Sequence, residues 1–184
     1  MIERIVRLYA DRGGSQYGSE AVSQLEHALQ CVRLALAEGA DSELAAAAFL
    51  HDLGHLVASN PHAVGRDVDD VHQYLALPFL RGAFGAAVLE PIELHVEAKR
   101  YLCRAEPGYW QSLSPASRHS LALQGGVLSV GEAAAFLAQP FATDAVRLRR
   151  WDDRAKLPGA PTLDLGEIER VLADATASHR TGIV

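Results

Sequence analysis

The stretch that decides the fold of this chain places ionisable groups in an apolar run: Phe49-Leu50-His51-Asp52-Leu53-Gly54-His55-Leu56. The preceding residues, 41–48, are mostly strong helix formers and begin with a residue that can cap a helix. His51 and His55 are four positions apart and therefore share one side of a helix, while Asp52 lies about 100° further round the axis. Because ionisable groups are costly to bury without partners, the pattern predicts a metal site beside a helix.

A simpler interpretation is that these residues are core histidines with ordinary hydrogen bonds. A single histidine in an apolar helix would favour that interpretation. An adjacent His-Asp pair, with His55 one turn later, argues against it. The metal interpretation therefore depends on finding further ligands elsewhere in the chain.

Composition limits the possible classes of protein. The 184 residues suit one domain with a sizeable core. The domain is predicted to span 1–184, with its core at about 15–155 and a C-terminal helix at about 164–176. A net charge of −6 argues against broad nucleic-acid binding, which needs a basic face. The sequence has no apolar run of membrane-spanning length and no signal-like N-terminus. With Cys31 and Cys103 expected to be buried thiols, we predict a cytoplasmic protein without nucleic-acid or membrane partners, and its oligomeric state stays open.

Apolar residues at three-to-four spacing predict an all-α fold. No strand or hairpin is predicted. Helices are expected at about 2–11, from about 70 to Gly82, at 85–103 and 114–124, and at about 142–155 and 164–176. Three more are expected: one with Leu25 to Leu36 on its apolar face and an end at Gly39, one that carries His51-Asp52, and one that starts at Ser129. Asp41, Ser114 and Ser129 are expected to cap helix starts. Pro78 should bend or restart its helix, and Pro91 should interrupt the segment around it.

Six residues on five predicted segments combine a metal-ligating side chain with apolar neighbours: His27, His51, Asp52, His72, His95 and Asp152. One metal ion needs about four protein ligands, so six ligands with a bridging carboxylate suit two ions. Imidazole and carboxylate without thiolate suit iron, manganese or zinc, and the ligand types do not choose among these metals. The other histidines, His62, His119 and His179, are interpreted as surface residues.

This ligand series resembles the HD-domain superfamily, and the resemblance implies an all-α HD-domain helical bundle around a dinuclear metal site. The flanking words resemble one branch of it, the mixed-valence diiron oxygenases of phosphonate catabolism, which cleave the carbon–phosphorus bond of 2-amino-1-hydroxyethylphosphonate and its relatives. Myo-inositol oxygenase is a more distant likeness. The words are Tyr17-Gly18-Ser19-Glu20, Gln24-Leu25-Glu26-His27, Leu50-His51-Asp52-Leu53-Gly54-His55, His95-Val96-Glu97-Ala98-Lys99-Arg100-Tyr101-Leu102, Leu113-Ser114-Pro115-Ala116-Ser117-Arg118, Gln124-Gly125-Gly126 and Arg149-Arg150-Trp151-Asp152. The HD motif is specific only for the superfamily, whereas the Tyr17 and His95 words are specific for the branch.

The resemblance implies a role for each matching residue. One iron would be held by His27, His51, Asp52 and Asp152, and the second by His72 and His95, with Asp52 bridging. Tyr17 would cover an open position on the second iron, Glu20 would engage the amino end of the substrate, and His55 would lie near the substrate. Lys99, Ser117, Ser120, Gln124 and Arg149 would hold the phosphonate, which suits a dianion that needs cations and hydroxyl donors. At position 120 the family pattern has threonine, which also carries a hydroxyl.

The implied reaction is O2-dependent cleavage of a 1-hydroxy-2-(amino or trimethylammonio)ethylphosphonate, releasing phosphate and glycine or glycine betaine. Its cofactors would be two iron ions in a mixed-valence Fe(II)/Fe(III) state, with O2 as co-substrate and a small organophosphonate as partner. Two alternatives share the metal ligands. One is a metal-dependent HD phosphohydrolase acting on a nucleotide or phosphomonoester, and the other is a non-catalytic metal-binding signalling module. The sequence leaves open the group on the substrate nitrogen.

Overall fold

Twelve helices make up the part of the chain that the computed structural model describes, residues 1–57, 69 and 71–181. They are α1 Ile2–Arg12, α2 Gln24–Ala37, α3 Ser42–Leu50, α4 Leu53–Val57, α5 His72–Leu75, α6 Leu77–Leu80, α7 Ala86–Ala105, α8 Tyr109–Ser112, α9 Pro115–Leu123, α10 Val130–Leu137, α11 Ala142–Arg154 and α12 Leu165–Thr181. Within these ranges there is no strand, only two isolated bridges. The predicted all-α bundle is confirmed. His62 lies outside the described residues.

Helix starts follow local capping chemistry. Asp41 accepts a hydrogen bond from the Leu44 amide, and Ser114 accepts one from the Ser117 amide. Ser129 forms the predicted capping box of α10 with Glu132. A second capping box, formed by Ser23 and Glu26 at the start of α2, was not predicted. These caps satisfy amides that have no partner inside the helix, so the boundaries depend on nearby residues alone.

The predicted helix through His51 and Asp52 is divided in two. Helix α3 ends at Leu50, a turn follows, and α4 begins at Leu53. The break lies close to Gly54, the residue with the weakest helix preference in this run. His51 and Asp52 therefore lie between two helices and not inside one continuous helix.

The predicted interruption at Pro91 is wrong, because α7 runs unbroken through its 20 residues. Pro91 is the sixth residue of α7, and it removes only the amide that would donate to the Ala87 carbonyl. The neighbouring Val88 and Ile92 are fully buried. Burial of the helix face thus outweighs the loss of one hydrogen bond, and His95 and Lys99 lie on one continuous helix.

The largest apolar core surrounds α3, which packs against α2, α7, α11 and α12. Residues 45–48 of α3 are alanines with no exposed surface, so their small side chains let the neighbouring helices approach closely. Phe49 and Trp151 are the large side chains that fill the space beside them. Cys31 is buried as predicted, whereas Cys103 is only half-buried. Among the described residues, no helix is long and apolar enough to cross a membrane.

Gly54 allows α4 to lie against the backbone at the start of α5. A Cβ at this position would come within 2.0 Å of the His72 carbonyl oxygen. Gly54→Ala should therefore lower the free energy of unfolding by about 1–3 kcal/mol, the usual cost of overpacking. Urea denaturation followed by circular dichroism measures the change.

Gly131→Ala is the matched control, because nothing lies within 4 Å of its Cβ position in α10. Adding a methyl group there should leave stability unchanged or raise it by up to about 1 kcal/mol, since alanine favours a helix more than glycine. Equal stability of the Gly54→Ala variant and the wild type would contradict the close approach of α4 to His72.

Candidate metal centre

The bundle brings the six predicted metal ligands to one buried place. His27 comes from α2, His95 from α7 and Asp152 from α11. His51 and Asp52 lie in the turn after α3, and His72 begins α5. Each of the six side chains is buried. Four separate helices and one turn therefore contribute to a single cluster of imidazoles and carboxylates.

The two carboxylate oxygens of Asp52 face different histidine pairs. Oδ2 lies 3.2 Å from His51 Nε2 and 3.7 Å from His27 Nε2. Oδ1 lies 3.3 Å from His72 Nε2 and 3.7 Å from His95 Nε2. This is the arrangement that a carboxylate needs to bridge two cations, one beside each pair.

Backbone carbonyls set the protonation of three of these imidazoles. The Nδ1 atoms of His27, His51 and His95 lie 2.8, 3.0 and 2.6 Å from the carbonyl oxygens of Ala155, Ala48 and Ile92. A carbonyl can only accept, so Nδ1 carries the proton and the Nε2 lone pair faces the cluster. The Nε2 atoms of His27 and His51 are only 3.3 Å apart, and those of His72 and His95 are 3.1 Å apart. Such close nitrogens suit a shared cation.

Electrostatics also favour cations at this place. Burial lowers the pKa of His27 to about 4 and that of His95 well below its usual value. Burial would raise the pKa of Asp52, but His51 and His72 hold it well below its usual range. Both Asp52 oxygens are buried, and neither has a hydrogen-bond partner in the described part of the structure. A buried, ionised carboxylate that lacks hydrogen-bond partners and is surrounded by imidazoles fits a metal pair.

His51 differs from the other histidines of the cluster. Burial lowers its pKa, but the negative charge of Asp52, 3.2 Å away, outweighs that effect and raises the pKa. A proton and a metal ion would therefore compete for the same Nε2 atom, and metal binding at this position would release the proton.

A cavity of about 410 Å³ opens beside the cluster. Its wall includes every residue that the sequence predicted to act outside the metal ligands: Tyr17, Glu20, His55, Lys99, Ser117, Ser120, Gln124 and Arg149. The structure thus brings all of these side chains to one space, while their individual roles stay predictions. His119, interpreted as a surface histidine, is exposed but also lines the cavity.

The two predicted phosphonate-binding cations differ in what they contact. Lys99 Nζ donates to Ser120 Oγ at 2.8 Å, and burial, followed by the nearby charge of Arg149, lowers its pKa from 10.5 to about 7. Arg149 is buried and pairs with both Asp152, at 2.6 Å, and Asp153. Two carboxylates therefore compensate the guanidinium, whereas Lys99 contacts only a hydroxyl among the bonds described.

Tyr17 lies beside the first predicted ligand set. Its ring stacks on the His27 ring at a centroid distance of 3.9 Å, and its hydroxyl lies 3.5 Å from Asp152 Oδ1. The expected position was on the second metal, beside His72 and His95. Its backbone amide donates to the Val22 carbonyl at 2.9 Å, which closes the loop over α2 and directs the ring onto His27. His55 stacks on the His72 ring at 4.4 Å, outside the predicted ligand set.

The sequence analysis missed Lys156, which follows α11. Its Nζ lies 3.1 Å from Glu20 Oε1 and 3.1 Å from Ser117 Oγ, in the wall of the cavity. The only signal was weak: Lys156 and Lys99 are the chain's two lysines, and Lys156 follows the predicted ligand Asp152 by four positions. Asp153, which pairs with Arg149 and accepts a hydrogen bond from the Tyr109 hydroxyl, was also missed.

A helical bundle with two histidine pairs on one bridging carboxylate defines an HD-type metal-binding protein. The chain is 44% identical over 172 residues to a hydroxymethylphosphonate dioxygenase of Gimesia maris, covering 90% of this chain and 84% of that protein. It is 33% identical over 165 residues to a glycine-betaine-forming dioxygenase of Leisingera caerulea named for 1-hydroxy-2-(trimethylamino)ethylphosphonate, covering 89% and 84%. No model of a known protein family matches the chain. The chain belongs to the phosphonate dioxygenase family.

This membership confirms both the resemblance and the prediction of an oxygenase. The names of the two relatives differ in one chemical respect. The Leisingera caerulea protein is named for a substrate with a cationic trimethylamino group, and the Gimesia maris protein is named for a substrate without any nitrogen. Family membership therefore does not identify the substituent on the hydroxyl-bearing carbon of the substrate.

Proposed function

We propose that this protein holds two iron ions and uses O2 to cleave the carbon–phosphorus bond of a small 1-hydroxyphosphonate, releasing phosphate. The observation that carries the proposal is the position of Asp52, with one oxygen toward each histidine pair, beside a cavity that Lys99 and Arg149 also line. The family supports the oxygenase chemistry. Neither the phosphohydrolase nor the signalling module accounts for that family membership.

The ligands divide between the two ions according to their contacts. His27, His51 and Asp152 would hold the first ion with Asp52 Oδ2, since Asp152 lies 3.6 Å from His27 and 4.0 Å from His51. His72 and His95 would hold the second ion with Asp52 Oδ1. When bound, the irons supply the redox chemistry with O2 and bind substrate oxygens as Lewis acids. Mixed valence follows from the family resemblance and is part of the proposal.

The side chains around the cavity bind and orient the phosphonate. Lys99 lies four positions after His95 on α7, so its ammonium can meet one phosphonate oxygen while the metal side of the cavity holds another. The hydroxyls of Ser117 and Ser120, which accept hydrogen bonds from Lys156 and Lys99, also line the cavity. Arg149 pairs with Asp152 and thereby orients a metal ligand, besides facing the cavity. Together these groups compensate a dianion in a partly dry site.

The products follow from the balance of atoms. Oxidation of the hydroxyl-bearing carbon by one O2, with rupture of its bond to phosphorus, leaves a carboxylic acid and phosphate. Hydroxymethylphosphonate would give formate, a 2-amino substrate would give glycine, and a trimethylammonio substrate would give glycine betaine. In every case one phosphate is released for each O2 consumed.

That stoichiometry gives the test. Iron-loaded protein supplied with hydroxymethylphosphonate or (R)-2-amino-1-hydroxyethylphosphonate should consume O2 and release an equal amount of phosphate, measured with an oxygen electrode and a phosphate determination. Without O2, phosphate release should stop, because the carbon cannot be oxidised. Phosphate release that continues anaerobically would replace this proposal with a phosphohydrolase.

A further inference from the structure

Glu20, predicted to receive the amino end of a substrate, already has two partners. Its Oε1 accepts from Lys156 Nζ at 3.1 Å and from Ser114 Oγ at 2.6 Å. The side chains of Glu20 and Lys156 are only 16% and 12% exposed, so the ion pair is sheltered in the cavity wall. A sheltered pair is screened less by salt than a surface pair, and displacing it is correspondingly costly.

The backbone around Lys156 is held on both sides by α2. The carbonyl of Ala155 lies 2.8 Å from His27 Nδ1. The amide of Leu157 donates to Gln30 Oε1 at 3.1 Å, and its carbonyl accepts from Gln30 Nε2 at 2.9 Å. Lys156 therefore lies between two residues bonded to α2, so its side chain starts from a backbone held at the cavity.

Each of the other described carboxylates of the cavity wall lies beside histidines, a cation or a backbone amide. Asp52 and Asp152 face the histidine pairs, and Arg149 compensates Asp152. Asp69 Oδ1 accepts from the Val71 amide at 3.3 Å. To pair with Glu20, a substrate ammonium would have to displace Lys156 from its ion pair. It would then lie beside the lysine ammonium, which carries a like charge, in a sheltered site.

We infer that Lys156 determines substrate specificity by neutralising Glu20, so that this cavity favours a 1-hydroxyphosphonate without a cationic substituent. The inference rests on the proposed function and narrows its substrate class. Hydroxymethylphosphonate, or a 1-hydroxyphosphonate with a small uncharged substituent, fits such a cavity. Substrates bearing an amine or trimethylammonio group bind less well, because the carboxylate that would attract them is already compensated.

The test separates charge from size with two substrates of nearly equal shape. One is (R)-2-amino-1-hydroxyethylphosphonate, and the other is 1-hydroxypropylphosphonate of matched configuration, in which a methyl group replaces the ammonium. Their Kd values are measured by calorimetry on metal-loaded protein without O2, and their kcat/KM values from oxygen consumption. Wild-type protein should favour the uncharged substrate, and Lys156→Met should shift the ratio by about tenfold or more toward the amine.

A double variant tests whether the change of substrate preference in Lys156→Met requires the carboxylate of Glu20. In Glu20→Gln/Lys156→Met, the gain for the amine should disappear, because no carboxylate remains to attract it. Arg154→Met is the matched control, since it removes a cation two positions away that pairs with Glu38 at 2.6 Å outside the cavity wall. The substrate ratio of this control should equal that of the wild type.

Three results would overturn the inference: a wild-type preference for the amine, an unchanged ratio in Lys156→Met, or an equal loss of both substrates. The last result would make Lys156 a phosphonate contact. Failure of the proposed function looks different, because O2-dependent phosphate release would then be absent with every hydroxyphosphonate. The anaerobic Kd ratio would still decide the role of Lys156.

Discussion

Asp52→Ala should lose both metal ions, the largest single effect expected on the centre. Its two oxygens face different histidine pairs, so the loss of this one side chain removes a carboxylate oxygen from both pairs. We expect wild-type protein to hold about two irons per chain, as six ligands with a bridging carboxylate imply. Partial reduction should give a mixed-valence signal. Metal analysis and electron paramagnetic resonance measure these quantities, and circular dichroism checks the fold.

Asp152→Ala is the informative comparison, because among the histidines of the cluster Asp152 lies beside His27 and His51 and not beside the pair that would hold the second ion. It should weaken the first ion much more than the second, and so separate loss of one ligand from loss of the bridge. A fully loaded wild type with one ion per chain, or an Asp52→Ala variant that keeps both, would exclude the dinuclear assignment.

Lys99→Ala should nearly abolish activity at low substrate concentration while leaving the metal content unchanged. Without the ammonium, a dianionic phosphonate would be poorly compensated in a sheltered cavity. The expected cost is about 2–5 kcal/mol of substrate binding, the range for removing a buried charge-assisted contact. Steady-state kinetics should place this loss mainly in kcat/KM. If the Lys99→Ala variant had the same kcat/KM as the wild type, Lys99 would have no role in phosphonate binding.

The pKa of Lys99 adds a pH dependence to this prediction. Burial lowers the pKa from 10.5 to about 7, so the charged form that binds phosphonate is lost as pH rises through about 7. We expect kcat/KM to fall above that pH in the wild type, and Lys99→Arg to lack this decline, since arginine stays protonated. Stability changes in the opposite direction. Between about 7 and 10.5 the unfolded chain binds more protons, so the cost of burying Lys99 decreases as pH rises.

Features that depend on near neighbours in sequence could be predicted without a structure. Helix starts at Asp41, Ser114 and Ser129 require only a capping side chain and the amides two or three positions later. The adjacent His51-Asp52 pair in an apolar run indicated metal chemistry because such groups are rarely buried without a partner. The same local rules erred at Pro91, where burial of α7 outweighed the missing hydrogen bond.

The sequence alone determined an all-α bundle, a set of histidine and aspartate side chains suited to metal ions, and a resemblance to phosphonate oxygenases. The tertiary structure alone decided that the two oxygens of Asp52 face different histidine pairs, and that Lys156 pairs with Glu20 across 136 positions of sequence. Helical periodicity and capping act over three or four residues, whereas contacts between distant elements depend on how α2, α3, α7 and α11 pack. No spacing rule relates Lys156 to Glu20, because their meeting depends on the backbone of Ala155 and Leu157 being held against α2.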